Sequence, residues 1–347
     1  MYRAPGMGVA ANRRLQRLHD YQTLGTSLLR AVSCAVLVAA STTISATAAH
    51  AVTAPPSSTS YYVTAYDTTW AFNKGKALGA ADAAAKGTQT HYVVLDFGAM
   101  TLSGSTWYLS CMGSTKITLS KAREMVEAFG RGYYYGTASD LTSTAHVALG
   151  TNNSAGAITA AAGKALAEAA TKGSNNLYAG RYLQSRIIGG NDFEAFGGNA
   201  KHSNSSVDWI NGYNSYPNGV SLVNYGSADG CPTSGIEKSS CNVGLNAEAI
   251  WQVSWSGRAW PLPEIYSTSG TNAKQWAALS LYSVNKHSSR MFFRGSMTQA
   301  GACAQNGNKC PNTNNSAKTG WTQLYNALNA NAKTATTPTS STDIKWK

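Results

Sequence analysis

Short apolar, β-branched runs that close on a carboxylate recur along this chain, and segments with helical spacing separate them. The clearest is Ile187-Ile188-Gly189-Gly190-Asn191-Asp192-Phe193-Glu194. His91-Tyr92-Val93-Val94-Leu95-Asp96-Phe97-Gly98 precedes it, and Val220 to Gly226 follows, delivering Asp229 into a loop. Near-continuous apolar runs of this length are what strands buried on both faces require. Strands of that kind lie parallel and need a helix to cross from one to the next.

The segments between them fit that demand. Ala122, Met125, Val126 and Phe129 share one helical face that Gly130 ends, and the Ala-rich stretch from Ala157 to Lys172 ends at Gly173. Val207, Ile210 and Tyr213 mark a short helix, Ala273, Trp276, Ala277 and Leu281 another, and Trp321, Leu324, Tyr325 and Leu328 the last. Further strands are expected at Gly132–Gly136, at Pro261–Tyr266, where the prolines disfavour helix, and at Met291–Met297. Ala249–Trp255 alternates, turning Gln252 and Ser254 to one face, where they would line a lumen. The stretch holding His146 and Thr151-Asn152-Asn153-Ser154 reads as a loop. Seven or eight such strands suit an α/β fold of the (β/α)8, TIM-like barrel type, with irregularities; an open doubly wound parallel sheet is the alternative. No fixed repeat period is present, which excludes a solenoid or propeller.

The ends of the chain differ from its middle. Arg13, Arg14, Arg17 and Arg30 precede the apolar run Ala31 to Ala40, and Ala49-His50-Ala51 follows, so residues 1–51 read as a secretory signal peptide. Residues 52–60 are a linker by composition, 61–330 a single domain and 331–347 a polar tail. No later stretch has eighteen uninterrupted apolar residues, so no membrane anchor is expected. Removing the leader takes five of the 28 Lys and Arg and one of the 16 acids, leaving 23 against 15, a net +8. Diffuse positive charge favours an anionic polymer such as a cell-wall glycan, and the absence of a dense Lys/Arg block speaks against nucleic acid.

Five cysteines remain after export. Their spacing suggests two local disulfides, Cys231 with Cys241 and Cys303 with Cys310, as an oxidising exterior allows. Cys111 is then free, buried or paired with a partner chain. With no C-x-x-C and scattered histidines, no zinc site is expected, and no cofactor motif occurs. The chain also lacks a G-x-S-x-G elbow, a P-loop and an H-E-x-x-H pair.

The acids carry the functional expectation. In a strand, Asp192 and Glu194 project to the same side roughly 6.6 Å apart, and paired carboxylates at a cleft suit acid/base work on a glycosidic bond. Asp96, Asp192, Glu194, Asp229 and Glu264 all fall where strands end, the position of active sites in parallel α/β folds. Glu194 is the expected proton donor, since burial beside other carboxylates raises its pKa, with Asp192 or Asp96 as second carboxylate. Asp229, Glu264, Gln252, Trp255, Trp260 and Tyr135 are candidates for substrate contact, the aromatics as faces for sugar rings.

Taken together, Val93–Gly98, Gly190–Glu194, Asn224–Pro232 and Pro261–Tyr266 resemble a family of uncharacterised secreted proteins from actinomycetes and similar soil bacteria. More distantly, a first strand ending in Asp and a later one carrying Asp-x-Glu is similar to glycoside hydrolase barrels of lysozyme family 25. That resemblance implies a barrel in which Asp96, Asp192 and Glu194 are the acidic residues and Glu194 the proton donor. The expectation is therefore a secreted protein that cleaves a polysaccharide, peptidoglycan favoured. The alternative is a carbohydrate-binding or cell-surface interaction protein on the same barrel.

Overall fold

The computed structural model describes residues 52–347 apart from positions 86, 114 and 139 and residues 154–155, 195–201, 239–240 and 242–244. The leader expected at residues 1–51 lies outside the described residues. Val52–Lys347 packs as one unit.

Among the described residues, ten strands and eight α-helices follow in order: β1 (Ser57–Tyr62), α1 (Thr68–Ala84), β2 (Thr90–Ser103), β3 (Thr106–Leu109), β4 (Ile117–Thr118), α2 (Leu119–Gly136), β5 (Thr144–Asn152), α3 (Ala160–Ala179), β6 (Ser185–Asp192), α4 (His202–Ser215), β7 (Leu222–Asn224), α5 (Ala247–Trp255), β8 (Ala259–Pro261), α6 (Thr271–His287), β9 (Ser296–Thr298), α7 (Ala300–Gln305), α8 (Ala317–Asn329) and β10 (Ser341–Trp346). Eight strands pair in parallel in the order β8-β7-β6-β5-β2-β1-β10-β9, while β3 and β4 form an antiparallel appendage on β2. The protein is thus an α/β fold on a curled parallel sheet.

Curling follows from what the strands bury. Tyr92, Val94, Ala148, Ile188, Val223, Leu262, Met297 and Ile344 form one buried cluster with Tyr62 packed against it. These residues come from all eight parallel strands or their direct continuations, which a flat sheet could not bring together. Their neighbours in sequence, Val93, Leu95, Val147, Leu149, Ile187 and Leu222, pack instead with helix residues such as Met125, Phe129 and Leu166. Period-two alternation therefore separates a concave-face core from a sheet-to-helix core. At the two ends of the strand order, the continuation of β8 meets β9: Glu264 bridges Met297, with Ile265 N–H to Met297 O and Met297 N–H to Pro263 O both 2.8 Å.

Several expected elements are corrected. Gly132–Gly136 is the last turn of α2, not a strand. Its glycines face those of α1: a Cβ on Gly132 would lie 2.0 Å from Phe72 O, and one on Gly75 2.0 Å from Phe129 O. The tyrosine run looks extended, but helix-to-helix contact decides its conformation. Ala249–Trp255 lies in helix α5, capped by the Asn246 side chain accepting from Ala249 N–H, with Ala247, Ile250, Val253 and Ser254 buried at helical spacing. The expected alternation there was fortuitous. The expected loop around His146 is strand β5, whose Ala145, Val147 and Leu149 are fully buried. Helix α3 runs past Gly173 to Ala179, and β9 begins only at Ser296. The stretch read as a linker supplies β1 from Ser57, and the stretch read as a tail supplies β10, which pair along their whole length. Burial of Ser58, Ser60, Ser341 and Thr342 explains why polar composition misled: these hydroxyls are hydrogen-bonded inside, Ser60 Oγ to Thr342 Oγ1 at 2.8 Å.

Both expected disulfides are present, and Cys111 is free and buried. Among the described residues no helix is long and apolar enough to cross a membrane.

Candidate active site

Several strands that carry a concave-face apolar residue continue two residues later, on the same face, into a side chain of the cavity. Val94 is followed by Asp96, Leu262 by Glu264 and then Tyr266, and Ile344 by Trp346. Register sets them beside one another: Tyr62 lies opposite Asp96 on one side and Trp346 on the other, and Asn152 lies opposite Asp192. These side chains line a cavity of about 560 Å³ at the C-terminal ends of the strands, together with Glu194, Asp229, Met112, Gln299 and the Cys303–Cys310 loop.

Asp96, Asp192, Glu194, Asp229 and Glu264, the acids singled out from the sequence, all line this cavity. Carboxylate oxygens of Asp192, Glu194 and Glu264 lie within 4.8 Å of one another. Among the described residues no Lys or Arg lines it. At that spacing, with an effective dielectric of about 20, each pair of charges would cost about 3 kcal/mol, more than two pKa units. The three therefore cannot all ionise at neutral pH. A hard cation with oxygen ligands would fit among them; without one, protons offset the charge.

Protonation is uneven across the cluster. Burial, then the Glu194 and Asp192 charges, hold Glu264 well above the usual carboxylate range, and burial, then Glu194 and Asp96, do the same for Asp192. Burial raises Glu194 too, but hydrogen bonds from Glu264 and Ser227 counter it. Glu264 thus holds the proton and donates it toward Glu194. Asp96 is pushed up to about 6, chiefly by burial, against the Gly98 N–H that bonds its Oδ1 at 2.8 Å. This turn needs glycine: Gly98 has φ +75°, and a Cβ there would lie 2.2 Å from Ser110 Oγ. Asp229, at the edge, is raised by burial and steadied by Asn272 Nδ2 at 2.8 Å.

The backbone of Glu194 is held from the neighbouring strand end. Asn153 Oδ1 accepts from Glu194 N–H at 3.0 Å, and Asn153 Nδ2 donates to Glu194 O at 2.9 Å. Tyr225, raised well above its ordinary value by burial and the nearby carboxylates, donates to Thr151 O at 2.7 Å.

The remaining expected contacts lie elsewhere. Gln252 is on α5 and donates to Glu248 at 3.0 Å. Trp255 packs edge-on against Trp260, Tyr135 is exposed on α2, and Trp260 lines a second cavity at the opposite ends of the strands. Tyr62, Tyr266, Trp346, Asn152 and Asn153 were not among the expected residues. Tyr266 was recoverable, lying two residues past Glu264 on the same face.

No family model matches the chain, and no curated protein or solved structure does so either.

Proposed function

We propose that this is a secreted glycoside-hydrolase-like protein that cleaves a polysaccharide, peptidoglycan favoured, on a (β/α)8 barrel. The observation that carries the reading is the meeting of Asp192, Glu194 and Glu264 within 4.8 Å in one cavity. The barrel is supported by the sequential strand order, the cluster shared by all eight strands and the bridge from Glu264 to Met297. Export is supported by the two disulfides.

Glycoside cleavage needs one protonated carboxyl for the leaving oxygen and one carboxylate for the developing positive charge on the sugar. Glu264 holds one proton in its hydrogen bond to Glu194; that proton passes to Glu194, which delivers it to the glycosidic oxygen and leaves Glu264 ionised. Loss of that proton adds negative charge beside the oxocarbenium-like centre, whose developing positive charge offsets the added repulsion within the cluster. Asp192, held protonated at rest by burial and its acidic neighbours, serves as the second carboxylate once substrate binding displaces its proton. Oxygens of Asp192 and Glu194 within 4.8 Å of one another favour the short spacing of retaining enzymes, roughly 5 Å, over the roughly 6.5–9.5 Å of inverting ones. Tyr62 and Trp346, with ring centroids 4.7 Å apart, give the cavity an aromatic wall for a sugar ring.

The same wall favours a second reading, carbohydrate binding without turnover. Reducing-end release from purified peptidoglycan, with chitin as second substrate, separates the two. Release by the parent that disappears in Glu194→Gln supports hydrolysis; co-sedimentation with the polymer and no release by either protein supports binding alone.

A further inference from the structure

The end of the sheet opposite the acidic cavity holds another cavity, of about 710 Å³, formed where β2, β5, β7 and β8 begin. Its lining contains no carboxylate among the described residues and is rich in hydroxyls, including Thr90, Thr144 and Ser221. The charged side chain on it is Arg294. The Arg294 guanidinium carbon lies 3.6 Å from the ring centroid of Trp260 and 6.0 Å from that of Tyr92. Tyr92 is in turn stacked on His146, with centroids 4.6 Å apart and planes 7° from parallel. Burial, then the charges of Arg186 and Arg294, lower His146 to about 4, so it is neutral at ordinary pH and supplies no second charge.

A guanidinium this close over an indole lies across its face, which leaves the in-plane N–H donors directed sideways. Among the described residues none of those donors has a hydrogen-bond or ion-pair partner, although the main chain of Arg294 is fixed by its N–H to Pro261 O and by Thr339 and Ser340 hydroxyls on its carbonyl. A partly buried, pre-oriented fork without an acidic partner is matched by a planar or tetrahedral oxyanion. We propose that this cavity binds a small ligand through a carboxylate or phosphate group held on the edge of Arg294, with Trp260 and Tyr92 fixing the fork. The volume accommodates a monosaccharide-sized acid. The site is independent of the hydrolytic reading.

Isothermal titration of the mature protein with inorganic phosphate and, separately, with glucuronate tests this. The expected result is saturable binding of at least one probe with half-saturation at or below about 10 mM. That binding falls by at least about tenfold in Arg294→Gln, falls less in Arg294→Lys, and is unchanged in Glu194→Gln. Stronger binding of glucuronate would assign a carboxylate ligand, and stronger binding of phosphate a phosphorylated one. Thermal melting of each variant shows whether it is folded, and Arg294→Lys carries the test if Arg294→Gln is not. Absence of saturable binding of both probes, or parental affinity in a folded Arg294 variant, would overturn the proposal.

Discussion

Asn153 grips the main chain of Glu194 through both ends of its carboxamide, accepting from the N–H at 3.0 Å and donating to the carbonyl at 2.9 Å. The contact ties the segment after β6 to the end of β5, so the position of the key glutamate depends on a residue with no chemistry of its own. Asn153→Ala is expected to lower kcat by roughly ten- to a hundredfold, since small misplacements of a reacting group are costly, while KM changes little. Steady-state kinetics on a soluble glycan fragment checks this, and an unchanged kcat would show that Glu194 is positioned by other means.

The acid cluster makes stability depend on pH in a particular direction. Asp96 titrates at about 6 in the folded protein against 3.8 ordinarily, so the native state binds its proton more tightly than the unfolded chain. Its stabilising contribution is full below about 4 and is lost as pH rises toward 6, about 3 kcal/mol in all. Asp192 and Glu264, raised further, extend the loss to higher pH. Melting temperatures measured at pH 8 are therefore expected to rise by a few degrees in Asp96→Asn and in Glu264→Gln, stability recovered at the expense of activity. A lower melting temperature in both variants would contradict this electrostatic account.

Much of the site was legible in the sequence, because an acid at the end of an apolar strand run is a local pattern: Asp96, Asp192, Glu194 and Glu264 were each found that way and share one cavity. What was not legible depends on tertiary contact. The tyrosines of Gly132–Gly136 have extended-chain preferences, but the close approach of α1 and α2 at their glycines makes the segment helical. Polar β1 and β10 look like linker and tail until they pair and bury their hydroxyls. Trp255, Trp260 and Tyr135 were expected as sugar contacts from type and neighbourhood alone, whereas the aromatics at the acids, Tyr62, Tyr266 and Trp346, come from both chain ends and a proline-rich turn.

The α1–α2 contact has a direct test. A Cβ at Gly75 meets Phe129 O at 2.0 Å and one at Gly136 meets Lys76 O at 2.2 Å, so neither neighbour can give way without moving a helix. Gly75→Val is expected to destabilise by about 3 kcal/mol in urea unfolding, and a loss below about 0.5 kcal/mol would show that the helices are not held at this separation.

Cysteine chemistry follows from the pairing. The thiol of Cys111, pushed up to about 11 mainly by burial, is expected to resist iodoacetamide at pH 8 in the native protein. Denaturation without reductant should expose one thiol per chain of residues 52–347, and five after reduction, by colorimetric titration. Three free thiols before reduction would mean that one of the two loops is open.

The most direct test of the catalytic account is the rate of reducing-end release from purified peptidoglycan by Glu264→Gln beside the parent. Glu264 is the residue whose hydrogen bond supplies Glu194 with its proton. The account predicts release by the parent and a loss of at least about a hundredfold in the variant, with binding to the polymer retained. Parental rates in Glu264→Gln, or no release by the parent, would contradict it.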